Sequence, residues 1–246
     1  MAAHARYDRL DALRGLAIVW MTVFHFCFDL NHLGFIRQNF YVDPFWTGQR
    51  TAIVSLFLFC AGLSQAVAHA QAQTWPRFWK RWAQIAGCAL LVSAGSYLMF
   101  PRSWIFFGVL HGIAVMLVLV RLTAGWGRWL WPLGAGAIAL GVFAPQAHAA
   151  WPQLEFLDRA PFHWLGLVGR KPITEDYVPV FHWLGVMWWG MAAGQWFLAR
   201  RASALQARLP AGAGFLAWMG RWSLTWYMVH QPVLIGVLMG VKALMR

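Results

Sequence analysis

Ionisable side chains recur along one face of the first apolar stretch of this chain, Arg9 to His32 (RLDALRGLAIVWMTVFHFCFDLNH). At about 100° per residue, Asp11, Arg14, His25, Asp29 and His32 fall within an arc of roughly 60°. At about 1.5 Å per residue, the stripe from Asp11 to His32 runs roughly 30 Å, the thickness of a bilayer core. A polar line on an otherwise apolar helix cannot face lipid. It must face other helices or a water-filled cavity, where ionisable groups mark functional sites. His25 and Asp29 stand at i, i+4, so their side chains can meet. A carboxylate that takes the Nδ1 proton orients an imidazole and raises its basicity, which suits a general base. Arg14 and Asp11 sit at the start of the helix. Arg14 is there either an anion clamp for a phosphorylated donor or a positive-inside anchor paired with Asp11 at i, i+3.

Three further stretches carry polar groups within apolar surroundings. FGVLHGIA (107–114) sets His111 between Gly108 and Gly112, which are one turn apart. His111 either contacts a donor or acceptor or bonds across packed helices. DYVPVFHWLG (176–185) offers Asp176 and His182 near the outer mouth of a helix bundle, with Pro179 suited to a first turn. GRWSLTWYMVHQPVL (220–234) carries Ser223, Tyr227 and His230 at i, i+4, i+7, with Gln231 alongside and a kink expected at Pro232. His4, His69, His148 and His163 fall at helix ends or in loops and read as surface residues. Cys27, Cys60 and Cys88 lie in apolar stretches without a CxxC pair, so they read as small core thiols, not as a metal site or disulfide framework. GAGAIALG (134–141) reads as helix packing, since no strand precedes it to make a phosphate loop.

The elements that must position these groups follow from composition. Of 246 residues, 60% are hydrophobic, only 11% are charged, and 18 are Trp. The mean hydropathy is +0.52. A soluble domain carries about 25% charged residues, so the expected class is an all-α integral membrane protein with a single domain over 1–246. Apolar stretches at 13–32, 49–71, 83–100, 104–121, 128–144, 180–199 and 218–243 give a bundle of about seven transmembrane helices. WPRFWKRW (75–82) reads as a basic aromatic turn at a membrane surface. Residues 1–12 read as a polar lead to an uncleaved first helix, because Asp29 and His32 occupy the place of a cleavage site. Residues 145–178 hold Glu155, Asp158, Glu175 and Asp176 and read as a re-entrant or interfacial segment before the sixth helix. There is no internal repeat.

The net charge of +12 is spread over helix ends and forms no basic arm, which excludes nucleic acid as a partner. Placing the N-terminus inside puts Arg6, Arg9, Arg14, Arg77, Lys80, Arg81, Arg121, Arg128, Arg200, Arg201, Arg208 and Arg221 at the cytoplasmic face, twelve of the 20 Lys and Arg residues. Asp8 and Asp11 are the acids on that side. This bias predicts an N-in/C-out topology, with His25, Asp29, His32 and the 145–178 segment toward the outer side.

Arg9-x-Asp11-x-x-Arg14-Gly15 followed by His25 resembles the opening of the transmembrane acyltransferase superfamily. FGVLHGIA, DYVPVFHWLGV and the closing GRWSLTWYMVHQPV extend the resemblance over nearly the whole chain. Together they are most similar to the bacterial branch related to the heparan-α-glucosaminide N-acetyltransferase catalytic domain. The resemblance implies acyl transfer across a bacterial inner membrane. Its donor is cytoplasmic acyl-CoA, typically acetyl-CoA, and its acceptor a sugar hydroxyl or amine of a glycan or glycolipid on the far side. No metal is implied. By position it matches His25 to the active histidine, as general base or acyl carrier, with His32 as the other candidate, and Arg14 to the arginine that precedes it; the residue pattern adds Asp29 as the orienting group and places Asp11 and His111 with Arg14 at the donor. His32, Asp176, His182, Tyr227, His230 and Gln231 are left to the cavity or the acceptor. Expected partners are acyl-CoA, the acceptor, the lipid bilayer and, as an option, a second copy in a homodimer. Two rival readings remain. A haem-binding electron-transfer protein could draw axial ligands from His25, His111, His182 and His230. A solute or acyl carrier would need a similar cavity and no chemistry.

Overall fold

A computed structural model describes residues 7–245. His4 and Arg6 lie outside the described residues. Among the described residues the chain is helical, with an isolated parallel bridge between Phe107 and Tyr177 and no strand. The helices are α1 (Asp8–His32), α2 (Pro44–Ala70), α3 (Trp75–Met99), α4 (Val109–Leu122), α5 (Leu130–Ala150), α6 (Val180–Arg200), α7 (Ala202–Gln206), α8 (Gly214–Arg221) and α9 (Ser223–Leu244). The chain divides into two compact units. One holds the described residues up to Phe57 together with those from Ser203 onward, and the other runs Leu58–Ala202.

In the first unit, α1 begins at Asp8, so residues 8–12 of the expected polar lead are helix. Asp8 and Asp11 lie in its first turn, where negative charge complements the helix dipole. Helix α2 also starts earlier than its apolar run. Asp43 Oδ1 accepts the Phe45 N–H at 2.9 Å, and Pro44 suits a first helical position. Ile18, Met21, Phe24, Phe40, Ile53 and Met219 form a buried apolar cluster behind α1. The single closing helix expected over 218–243 is two helices, broken at Trp222, whose N–H bonds to the Met219 carbonyl at 3.1 Å. The break lets α8 lie against α1 at backbone distance. A Cβ at Gly15 would strike the Leu216 carbonyl, and one at Gly220 would strike the Asp11 carbonyl. In a bilayer, where lipid is as apolar as leucine, close packing of this kind holds helices together. Arg9 adds hydrogen bonds to the Ala204 and Arg208 carbonyls at 3.1 and 3.2 Å.

In the second unit, WPRFWKRW is not a surface turn but the first two turns of α3. Pro76 sits in its first positions after Thr74, where a missing N–H costs nothing. Arg121 lies over the rings of Trp75 and Phe78 at 5.3 and 5.8 Å. Helix α4 starts at Val109, five residues later than its apolar run, because 104–108 is held extended. Ile105 N–H donates to Ser96 Oγ at 2.9 Å, Ser93 Oγ donates to the Ile105 carbonyl at 2.7 Å, and Val178 N–H donates to the Phe107 carbonyl at 3.0 Å. Helix α5 runs on through Pro145 to Ala150.

The segment before α6 folds into 3₁₀ turns over Pro152–Asp158 and Ala160–Leu165. Asp158 clamps it, accepting the Gly169 N–H at 2.7 Å and pairing with His148 Nδ1 at 3.2 Å. His148, expected at the surface, has a side chain only 9% exposed, and its Nε2 meets the Leu167 carbonyl at 3.1 Å. His163 Nε2 meets the Asp158 carbonyl at 2.8 Å, and the Tyr177 hydroxyl donates to the His163 carbonyl at 2.6 Å. Burial, with the nearby Asp158 charge, pushes the Tyr177 hydroxyl above its ordinary range, so it stays a donor.

Among the described residues, five helical stretches are long and apolar enough to cross a membrane: Asp8–His32, Pro44–Ala70, Trp75–Met99, Ala124–Ala150 and Ser223–Leu244. Val109–Leu122 is apolar but has 14 residues, a reach of about 21 Å against a core of about 30 Å.

Candidate active site

The polar face of α1 meets α9 in a ladder of side-chain bonds. Trp226 Nε1 donates to Thr22 Oγ1 at 2.8 Å. One turn on, His25 Nδ1 lies 2.7 Å from His230 Nε2. Next, Gln231 Nε2 donates to Asp29 Oδ1 at 2.8 Å. Past the end of α1, Lys242 Nζ donates to the Leu33 carbonyl at 2.5 Å. Residue numbers rise together on both helices, so α1 and α9 run parallel. This register brings His25, Asp29, His230 and Gln231 together, with the Tyr227 ring 5.9 Å from that of His230.

The expected His25–Asp29 pair does not form. Both residues lie on the expected face, but each is turned to its own partner on α9: the His25 Nδ1 position is taken by His230, and Asp29 Oδ1 by the Gln231 amide. His230 in turn points Nδ1 at its own helix, 2.9 Å from the Tyr227 carbonyl and 3.1 Å from that of Trp226. Asp29 and His230 are 3% and 6% exposed, so these bonds are made away from bulk solvent. Two acceptor atoms at the same level, Asp29 Oδ2 and Gln231 Oε1, are buried without a hydrogen-bond partner. Buried polar atoms are nearly always satisfied, so such a pair calls for an explanation.

Arg14 bonds Asp11 at 2.8 Å, as the i, i+3 spacing suggests. Eleven residues separate Arg14 from His25, about 16 Å along the helix. His32 closes α1, its ring 6.5 Å from Phe28.

The other expected site residues belong to the second unit. His111 Nε2 lies 3.0 Å from Ser93 Oγ, and its Nδ1 accepts the Gly108 N–H at 3.3 Å. Asp176 Oδ2 accepts the Val109 N–H at 2.8 Å and so caps α4 from another segment. His182 interrupts the start of α6 with a left-handed φ of 58°, its ring 4.4 Å from that of Trp183. A Cβ at Gly141 would collide with it, so α5 has a glycine where this bend approaches.

The sequence reading passed over Thr22 and Trp226. Thr22 falls about 20° from Asp11 on the helical wheel, just past that edge of the polar arc, and a stripe widened to take in all polar residues would have included it. Nothing in the sequence pairs Trp226 with it, because that contact depends on the register of two helices about 200 residues apart in sequence.

This arrangement sets two imidazoles edge to edge, with unpaired carboxylate and amide oxygens beside them. Such a set can take a proton from an incoming amine or hydroxyl and hold its remaining donors. Among the described residues, no three His, Cys, Asp or Glu side chains are grouped so as to hold a metal ion. No curated protein and no solved structure matches the chain. The family model described as "Heparan-alpha-glucosaminide N-acetyltransferase, catalytic" matches residues 6–232. That match takes in both helices of the polar ladder as far as Gln231, and with it the chain belongs to the family of heparan-alpha-glucosaminide N-acetyltransferase catalytic domains.

Proposed function

We propose that this chain moves an acyl group, acetyl in the simplest case, from cytoplasmic acyl-CoA to an amine or hydroxyl of a sugar on the opposite side of the membrane. The observation that carries this reading is the family match over residues 6–232. His25 serves as general base or transient acyl carrier. Asp29 Oδ2 and Gln231 Oε1, two buried acceptors without partners, receive the remaining N–H or O–H groups of the sugar. Arg14, beside Asp11, holds phosphate oxygens of the donor by charge-assisted hydrogen bonds.

Seven crossings, N-in and C-out, fit the parallel run of α1 and α9. An odd number of spans leaves the first and last helices pointing the same way, and the Lys and Arg bias sets which end is cytoplasmic. The segment between α5 and α6 then lies at the outer surface as an interfacial element.

Purified protein in proteoliposomes, given labelled acetyl-CoA and a panel of amino sugars and neutral sugars, tests the proposal. Transfer of label with stoichiometric release of CoA thiol is expected. Failure to transfer to any amine or hydroxyl acceptor, with acetyl-CoA recovered intact, overturns it. Acetyl-CoA should also raise the melting temperature of the wild type, and Arg14→Ala should weaken that rise while His25→Ala keeps it.

A further inference from the structure

We infer that His230 is the positioning residue that sets the tautomer of His25 and leaves His25 Nε2 as the atom that takes the acceptor's proton, an inference that rests on the acyltransferase reading above. His230 Nδ1 faces two carbonyl oxygens, those of Tyr227 at 2.9 Å and Trp226 at 3.1 Å. Carbonyl oxygens only accept, so Nδ1 must carry hydrogen. A neutral imidazole has one N–H, and His230 Nε2 is therefore a bare acceptor. His25 Nδ1 lies 2.7 Å from that atom. Two lone pairs cannot face each other at hydrogen-bond distance, so His25 Nδ1 donates. The hydrogen of neutral His25 is thereby committed, and its Nε2 lone pair is left bare. No hydrogen bond to His25 Nε2 is present among the described residues.

Ring geometry supports this order. The two imidazoles are inclined by only 11°, with centroids 5.0 Å apart. With a nitrogen–nitrogen distance of 2.7 Å, these values describe nearly coplanar rings joined edge to edge, as an in-plane N–H···N bond requires. The helices hold both partners in place. On α1 the bonded residues Thr22 and Asp29 lie about one turn to either side of His25, and on α9 their partners Trp226 and Gln231 flank His230, so neither ring can slide along its helix without breaking a neighbouring rung.

The step this serves balances. The acceptor's N–H or O–H proton passes to His25 Nε2 as its nitrogen or oxygen bonds to the acyl carbon. The carbon–sulfur bond breaks, and its electron pair leaves on the CoA sulfur, which then takes the proton from His25 Nε2. While His25 carries that proton, its Nδ1–H···Nε2 bond spreads the charge to His230, whose own N–H already rests on two carbonyls. His230 thus orients the base as a carboxylate does in a hydrolase triad, without adding a net negative charge within an apolar bundle.

Three forms of the full-length protein test this: wild type, His230→Leu and His230→Gln. Leucine removes the acceptor for His25 Nδ1–H, whereas glutamine returns an amide oxygen near the place of Nε2. The expected result is a kcat lowered by about 10²-fold or more in His230→Leu, with KM for acetyl-CoA unchanged and most of the loss recovered in His230→Gln. Nitrogen-15 NMR of labelled histidines supplies a readout that does not need turnover. His25 should be the Nδ1–H tautomer in the wild type and in His230→Gln, and a tautomer mixture in His230→Leu. Equal kcat in the two variants, or an Nε2–H tautomer of His25 in the wild type, overturns the inference. If the wild type transfers no acyl group, the acyltransferase reading fails on its own, and the NMR result still decides the order of the hydrogen bonds. If His230→Leu does not fold, the wild-type tautomer decides it.

Discussion

The hydrogen bonds centred on His111 and those centred on the histidines between α1 and α9 both lie within apolar helices, and they end differently. Around His111, both ring nitrogens close on other protein groups. Nε2 reaches Ser93 Oγ, whose hydroxyl is itself donated to the Ile105 carbonyl, and Nδ1 takes the Gly108 N–H. Nearby, Asp176 caps Val109. Between α1 and α9, the bonds stop short of closure. The chain of donors from the Trp226 and Tyr227 carbonyls ends on the bare Nε2 of His25, and beside it Asp29 Oδ2 and Gln231 Oε1 have no partner. A closed set spends its capacity on holding the fold, here the extended 104–108 stretch and the start of α4. An open, buried set leaves a fold with unsatisfied atoms at a cost of about 1–3 kcal/mol each. That expense is rational where a substrate completes the bonds.

The largest effect that would break this contrast is on catalysis. His25→Ala should lower acyl transfer by about 10²- to 10⁴-fold, the range for a lost general base, and should leave the melting temperature close to wild type. Near-normal turnover in that variant would move the chemistry away from the open set. Asp176→Ala is the mirror experiment. It removes the cap of α4, worth about 1 kcal/mol, and should lower the melting temperature by about 2–4 °C while kcat per folded molecule is kept. His111→Ala belongs with it: a stability loss of similar size and an unchanged KM for acetyl-CoA, measured by initial rates across donor concentration. A KM raised by tenfold or more would return His111 to the donor site that its place in FGVLHGIA first suggested, and the closed set would then be doing two jobs.

What was legible in the sequence divides along the same line. The α1 stripe could be read because 3.6-residue periodicity is local, and all of its members do lie on one face. The membership of His230 and Gln231 in the last helix could be read for the same reason. The pairing could not. Spacing says that His25 can reach Asp29, but it carries nothing about a helix two hundred residues away whose register offers a nearer partner to each. The break at Trp222 was hidden because both sides of it are equally apolar and no proline or loop residue marks it. The early start of α3 was hidden for the opposite reason. Basic and aromatic residues in WPRFWKRW look like a surface turn, while Pro76 in fact sits in a first-turn position that favours helix. His148 reads as a helix-end residue, and its burial depends on Asp158, which returns only after α5 has ended.

The smallest expected effect tests whether openness matters only when it is buried. Arg221 Nη2 lies 3.2 Å from Asp8 Oδ1, a pair joining α8 to the start of α1, with side chains 43% and 53% exposed. No further hydrogen bond to these two side chains is present among the described residues, so by bond count alone the pair is as open as the His25 set. Water or lipid headgroups complete such bonds without help, and exposed pairs contribute only about 0.2–1 kcal/mol, less at high salt. Arg221→Ala should therefore change the melting temperature by less than Asp176→Ala does, change kcat not at all, and become indistinguishable from wild type at high ionic strength. The close backbone contact of Gly15 and Gly220 is expected to hold α8 on α1 in its absence. If Arg221→Ala instead cost as much activity as an alteration in the His25 ladder, incomplete bonding would have to be read as a sign of function at the surface as well as in the interior, and burial would lose its place as the deciding property.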